Sequence, residues 1–170
     1  MKHKVLLLDD NNESILPSLG NSFSAETYEV VLGENAQKAI EKSDAGEIDL
    51  LVMNFNSPTD EGWEAIDEIT EENPFLPIIV ITRQPELRNL AEAAGACAFV
   101  EMPVDVPTLL QTIRELLAEP AQRRMERVCN RPTDFRQVPP ADGSFRDQLD
   151  RRYTTSYRFN TPASRWGLNE

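Results

Sequence analysis

The side chains able to do chemistry stand at the ends of short apolar runs. Asp9 and Asp10 follow the run Val5–Leu8, Asn54 follows Ile48–Met53, Thr82 closes Pro77–Thr82, and Met102 and Pro103 follow Cys97–Glu101. The set is a pair of carboxylates, a carboxamide, a hydroxyl and a thioether. Two carboxylates about 4 Å apart repel by roughly 4 kcal/mol at an effective dielectric of about 20, so Asp9 and Asp10 favour a nearby cation. Asn54 is a neutral, poor nucleophile, and Met102 brings neither charge nor a hydrogen-bond donor. Arg83, directly after Thr82, is a long cation that could reach Asp9 or Asp10 and plug the space between the strand ends. The opposite reading, Arg83 pointing to solvent, stays open. Other chemistry lacks material. The single histidine, His3, is terminal, and Cys97 and Cys129 fit no metal or redox spacing, so both read as free thiols.

These positions converge only if the runs are strands of one sheet. Lys4–Asp9, Tyr28–Leu32, Ile48–Met53, Pro77–Thr82 and Cys97–Glu101 read as five strands. Between them lie amphipathic segments. Ile15, Leu19 and Phe23 mark the first, capped by Asn11 or Asn12 and disturbed by Pro17. Asn35–Ser43 is the second, with Gly46 beyond its end. Trp63, Ile66 and Ile69 mark the third. Glu86–Ala94 is the fourth, stopped by Gly95. Asp105 caps the fifth, which carries Leu109, Leu110, Ile113, Leu116 and Leu117. Strands alternating with helices predict right-handed crossovers and a parallel sheet covered on both faces. Functional loops in such sheets lie at the carboxyl ends of the strands.

The chain of 170 residues has room for one such domain and an extension. Its net charge of −12 is unevenly spread. Residues 1–120 hold 7 basic and 23 acidic residues; residues 121–170 hold 10 arginines, no lysine and 6 acids. The acidic part should repel nucleic acid and acidic membranes. No apolar run reaches membrane-spanning length, and Val5–Leu8 is too short for a signal-peptide core, so a cytoplasmic location is expected. The extension 121–170 is punctuated by Pro132, Pro139, Pro140 and Pro162, and its aromatics are scattered. It is expected to be largely irregular, with Ala121–Cys129 continuing the last helix.

The blocks KVLLLDDN, DLLVMNFNSPTDEGWE, PIIVITR and GACAFVEMP, at their spacing, resemble the receiver domain of two-component response regulators over about residues 1–120. The resemblance implies a flavodoxin-like α/β fold: a five-stranded parallel sheet of order 2-1-3-4-5 with five helices. It implies that Asp9 and Asp10 are the acid pair of a divalent-metal site. Pro58, Asp60 and Gly62 match the turn after the third strand, and Thr82 matches the hydroxyl that reads a phosphoryl group. Phe99 matches the aromatic that couples pocket to surface, and Pro103 the proline after the pocket lysine. Two positions depart. Asn54 stands where the family has its phosphoacceptor aspartate, and Met102 where it has its lysine. Magnesium on Asp9, Asp10, the Asn54 amide oxygen and the Asn56 backbone carbonyl would be weakened by the missing negative ligand. No cofactor is expected.

These departures predict a pseudo-receiver without enzymatic activity, signalling by protein–protein contact independent of phosphorylation. The resemblance places the docking face, for a partner or a homodimer, in the stretch Glu86–Ala118. Leu87, Val104 and Val106 are candidates for its apolar patch, while Leu90 and Leu110 read as core. Arg88, Glu92, Glu101 and Asp105 are candidates for its polar rim. One alternative is phosphorylation at a non-standard acid such as Asp10. Another is nucleic-acid binding by the extension, where Arg123, Arg124, Arg127, Arg131, Arg151 and Arg152 accompany Tyr153, Tyr157, Phe159 and Trp166. A net +4 without a helix-turn-helix or zinc pattern argues against it. Contact of the extension with the acidic domain, or with a partner, is preferred. A flavin-binding reading fails because Asp9-Asp10-Asn11-Asn12-Glu13 would repel a phosphate.

Overall fold

Parallel strands buried on both faces must be apolar almost throughout, and three of the runs meet that demand fully. In the computed structural model, which describes residues 2–9, 19–23, 28–33, 35–55, 61–129 and 135–141, every residue of β3 (Leu50–Asn54), β4 (Ile78–Thr82) and β5 (Ala98–Glu101) is buried. β1 (His3–Asp9) and β2 (Tyr28–Gly33) complete the expected set. The helices are the segment 19–23 of α1, α2 (Ala36–Asp44), α3 (Glu61–Glu72), α4 (Arg88–Ala94) and α5 (Val106–Leu117). A 3-10 turn, Pro85–Leu87, leads into α4.

Two expectations about number are corrected. Among the described residues the sheet has six strands in the order β2-β1-β3-β4-β5-β6, so the predicted 2-1-3-4-5 order gains a member at one edge. β6 (Arg136–Val138) and α6 (Ala121–Cys129) both come from the extension expected to be irregular. β6 is ordered by its neighbour: it pairs parallel to β5, with Ala98 opposite Arg136 and Val100 opposite Val138. α6 is a separate helix, because α5 is capped at Ala118 and Pro120 follows.

Alternation along the strands divides the core into two layers. Leu6, Leu51, Met53, Val80 and Phe99 pack with Ile40 of α2, Trp63, Ile66 and Ile69 of α3, and Ala91 of α4. Val5, Leu7, Val52, Ile81 and Val100 pack on the other face with Leu19 and Phe23 of α1 and Leu109, Ile113 and Leu116 of α5. Ile15 and Pro17, with Asn11 and Asn12, lie outside the described residues.

Local signals explain the helix ends. The Asn35 side chain accepts from the Lys38 N–H at 2.9 Å, capping α2. Asp105 occupies the N-cap of α5, but its side chain makes no capping bond to the backbone there. Its carboxylate instead accepts from the Thr108 hydroxyl. Gly95 ends α4 in the left-handed region at φ 102°. A Cβ there would come within 2.7 Å of Thr70 Cγ2, and the Thr70 hydroxyl is pinned by donating to the Ala94 carbonyl at 3.3 Å. Gly46 also has positive φ, 65°, but open space around it. Gly46→Ala should therefore cost only the backbone penalty, about 1 kcal/mol. Gly95→Ala should cost about 1–3 kcal/mol more through overpacking against Thr70. Urea denaturation of the two variants measures the difference.

Candidate functional site

Parallel pairing brings the strand ends into one row. Asp9 on β1 is opposite Asn54 on β3, Asn54 is opposite Ile81 on β4, and Thr82 is opposite Glu101 on β5. Asn54 and Thr82 are fully buried. Of the predicted site, Asp10, Asn56, Pro58 and Asp60 lie outside the described residues, as does the side chain of Asp9. Within the described residues, Asn54 thus brings a neutral carboxamide and no charge to this row.

The next residues hold this row in place. The Phe55 N–H donates to the Ile81 carbonyl at 2.9 Å, carrying the β3–β4 pairing past Asn54. Phe55 is buried, with its ring centroid 4.7 Å from that of Trp63. α3 crosses Phe55 at Gly62, where a Cβ would lie 1.9 Å from Phe55 Cε1. A glycine is required there for close approach. The Thr82 hydroxyl oxygen accepts from the Gln84 N–H at 3.0 Å, which closes the turn after β4 and fixes the side chain. Arg83, between them, is exposed. Its candidate partners, Asp10 and the Asp9 carboxylate, belong to the undescribed part.

Met102 directly follows β5. Its N–H donates to the Thr82 carbonyl at 2.9 Å. Its half-buried side chain packs with Val104, Val106 and Leu117 against the α1–α5 layer. A thioether suits that position because it is flexible and apolar.

The Glu86–Ala118 stretch differs from expectation in three places. Glu101, expected on a polar rim, is buried at 8% exposure. Its carboxylate accepts from Gln137 Nε2 at 2.8 Å, so β6 covers it. Leu90, expected in the core, is 36% exposed, because α4 turns Ala91 and Ala94 inward instead. Leu87 is buried in the α3–α4 layer and is not part of a surface patch, while Leu110 is core as expected. Phe99 is fully buried, with Phe135 lying 6.5 Å from it between ring centroids.

Sequence reasoning missed Phe135, Arg136 and Gln137 as part of this face. The Arg88 guanidinium lies 5.2 Å over the Phe135 ring, and Arg88 Nε donates to Gln137 Oε1 at 3.0 Å. Arg136 pairs with Glu115 of α5.

Residues 5–114 match the response regulator receiver domain family. The chain belongs to that family. It is 28% identical over 131 residues to the transcriptional regulatory protein GlrR of Escherichia coli, an alignment covering 75% of this chain and 30% of that protein. It is 30% identical over 112 residues to the transcriptional regulatory protein PdtaR of Mycobacterium tuberculosis, covering 64% of this chain and 54% of PdtaR. The chain thus spans about a third to a half of the length of these two curated relatives. A CheY-like receiver domain from Methanospirillum hungatei superposes with a TM-score of 0.61 at 25% identity, covering 74% of this chain and 98% of that one. The fold is therefore that of a receiver domain, and the broad function is two-component signal transduction. Among the described residues, no helix of this receiver is long and apolar enough to cross a membrane.

Gly62→Ala tests how tightly the row of strand ends is held. Overpacking against the buried Phe55 ring should lower stability by about 1–3 kcal/mol. A thermal melt of the variant beside the native chain measures the loss.

Proposed function

We propose that this receiver works as a protein-binding module that does not depend on phosphorylation and has no enzymatic activity. The observation that carries the reading is Asn54 itself, buried at the end of β3 in register with Asp9. Acyl phosphate formation needs a carboxylate oxygen as nucleophile, and a carboxamide supplies none. Met102 supports the same reading. A lysine would offer a cation to the phosphoryl oxygens, whereas the Met102 side chain is packed against the apolar α1–α5 layer. Asn54 leaves a cation one fewer negative ligand, so magnesium on Asp9, Asp10 and Asn56 is weak or absent. The docking region is Glu86–Ala118, for a protein partner or a second copy. Its polar boundary includes Arg88 and Glu92, which pair at 3.7 Å.

Incubation with acetyl phosphate and magnesium, followed by intact mass measurement, tests the reading. The native chain should gain no phosphoryl group, and Asn54→Asp combined with Met102→Lys should gain one. A phosphoryl group on the native chain would overturn the proposal. Its disappearance in Asp10→Asn would then assign it to Asp10.

A further inference from the structure

The extension delivers a strand to the face on which receivers of this family are expected to dock. Residues 135–141 lie along the edge of β5 between α4 and α5, held at both ends. The Arg136 N–H donates to the Cys97 carbonyl at 3.0 Å, and the Ala141 N–H donates to the Pro103 carbonyl at 2.8 Å. Side chains alternate as in any strand. Phe135 and Gln137 turn toward α4, where they meet Arg88, Phe99 and Glu101. Arg136 and Val138 turn toward α5, where Arg136 meets Glu115 and Val138 joins the α1–α5 layer.

The recognition is specific and shallow. Both ends of the Gln137 carboxamide are used, Oε1 by Arg88 and Nε2 by the buried Glu101. Yet β6 has three residues, and Val138 is its one buried side chain; Phe135, Arg136 and Gln137 remain half-buried. Each of β3, β4 and β5 is buried along its full length. The α6 helix leading to the strand has no buried residue among those whose side chains are described.

We propose that the β5 edge is a docking groove for an extended peptide strand running parallel to β5, and that Phe135–Ala141 is its built-in, displaceable occupant. The partner this groove fits carries the same chemistry: an aromatic ring for Arg88 and Phe99, and two residues later a carboxamide to bridge Arg88 and Glu101. Main-chain pairing supplies affinity and the alternate side chains supply specificity, as in other strand additions. Access is controlled in cis, because an outside strand binds only when the strap is off. Glu101 lies beside Thr82 in the strand register, so the strap also touches the row of strand ends. The inference stands whether or not the domain is phosphorylated, and its test does not involve phosphate.

The probe is a fluorescent peptide of residues 135–141, read by anisotropy against the full chain and against a full chain carrying Phe135→Asp and Val138→Asp. A cis occupant lowers apparent affinity by the fraction of time the groove is open. The double variant should therefore bind the peptide at least about tenfold more tightly than the native chain. A peptide carrying Gln137→Ala should lose that binding. Equal binding to both chains, or none to a folded double variant, would overturn the proposal. Hydrogen exchange of the native chain tests it without any variant. The Arg136 and Ala141 amides should exchange together and well before those of Leu51 and Cys97. Exchange of all four at one common rate would make β6 an integral strand and end the proposal.

Discussion

Backbone pairing that sets Asp9 against Asn54 and Thr82 against Glu101 is the constraint on which the rest of the structure depends. A parallel sheet delivers every strand end to the same edge, so residues far apart in sequence become neighbours without any attraction between their side chains. Here the row reads acid, amide, hydroxyl, acid. Its two neutral members, Asn54 and Thr82, lie fully buried on adjacent strands. The same pairing, continued one strand further, places Phe99 opposite Gln137 and so ties the extension to the far edge of the sheet.

Much of this was legible in the sequence, for identifiable reasons. β3 and β4 are apolar because both of their faces are covered, and continuous apolar runs such as Leu50–Met53 are easy to read. Gly95 announced the end of α4 because few other residues tolerate its backbone conformation. Of the strand-end row, Asn54 and Thr82 could be named from position alone.

What stayed hidden depends on distant partners. Arg136–Val138 has no apolar period and becomes a strand only because β5 offers an open edge. Glu101 looks like a surface residue until Gln137, thirty-six positions later, covers it. Leu90 sits in an apolar-looking segment, but α4 is short and turns two alanines inward, which leaves the leucine exposed. Asp105 has the right type and place for a cap, yet the neighbouring Thr108 hydroxyl takes its carboxylate. In each case a local rule yielded to a contact that sequence spacing does not encode.

We propose that the receiver fold is kept while the chemistry at its centre is altered; the edge of β5 is closed by the chain itself. The two features are adjacent in space, joined through Thr82, Glu101 and Gln137. The account rests most heavily on the first, that the pocket cannot take a phosphoryl group at Asn54. Beryllofluoride with magnesium forms a phosphoryl analogue only on a suitably placed carboxylate, and amide NMR of the native chain would show its arrival. The account predicts that the signals of Asn54, Thr82 and Phe99 stay where they are. Saturable shifts at those three residues would contradict it.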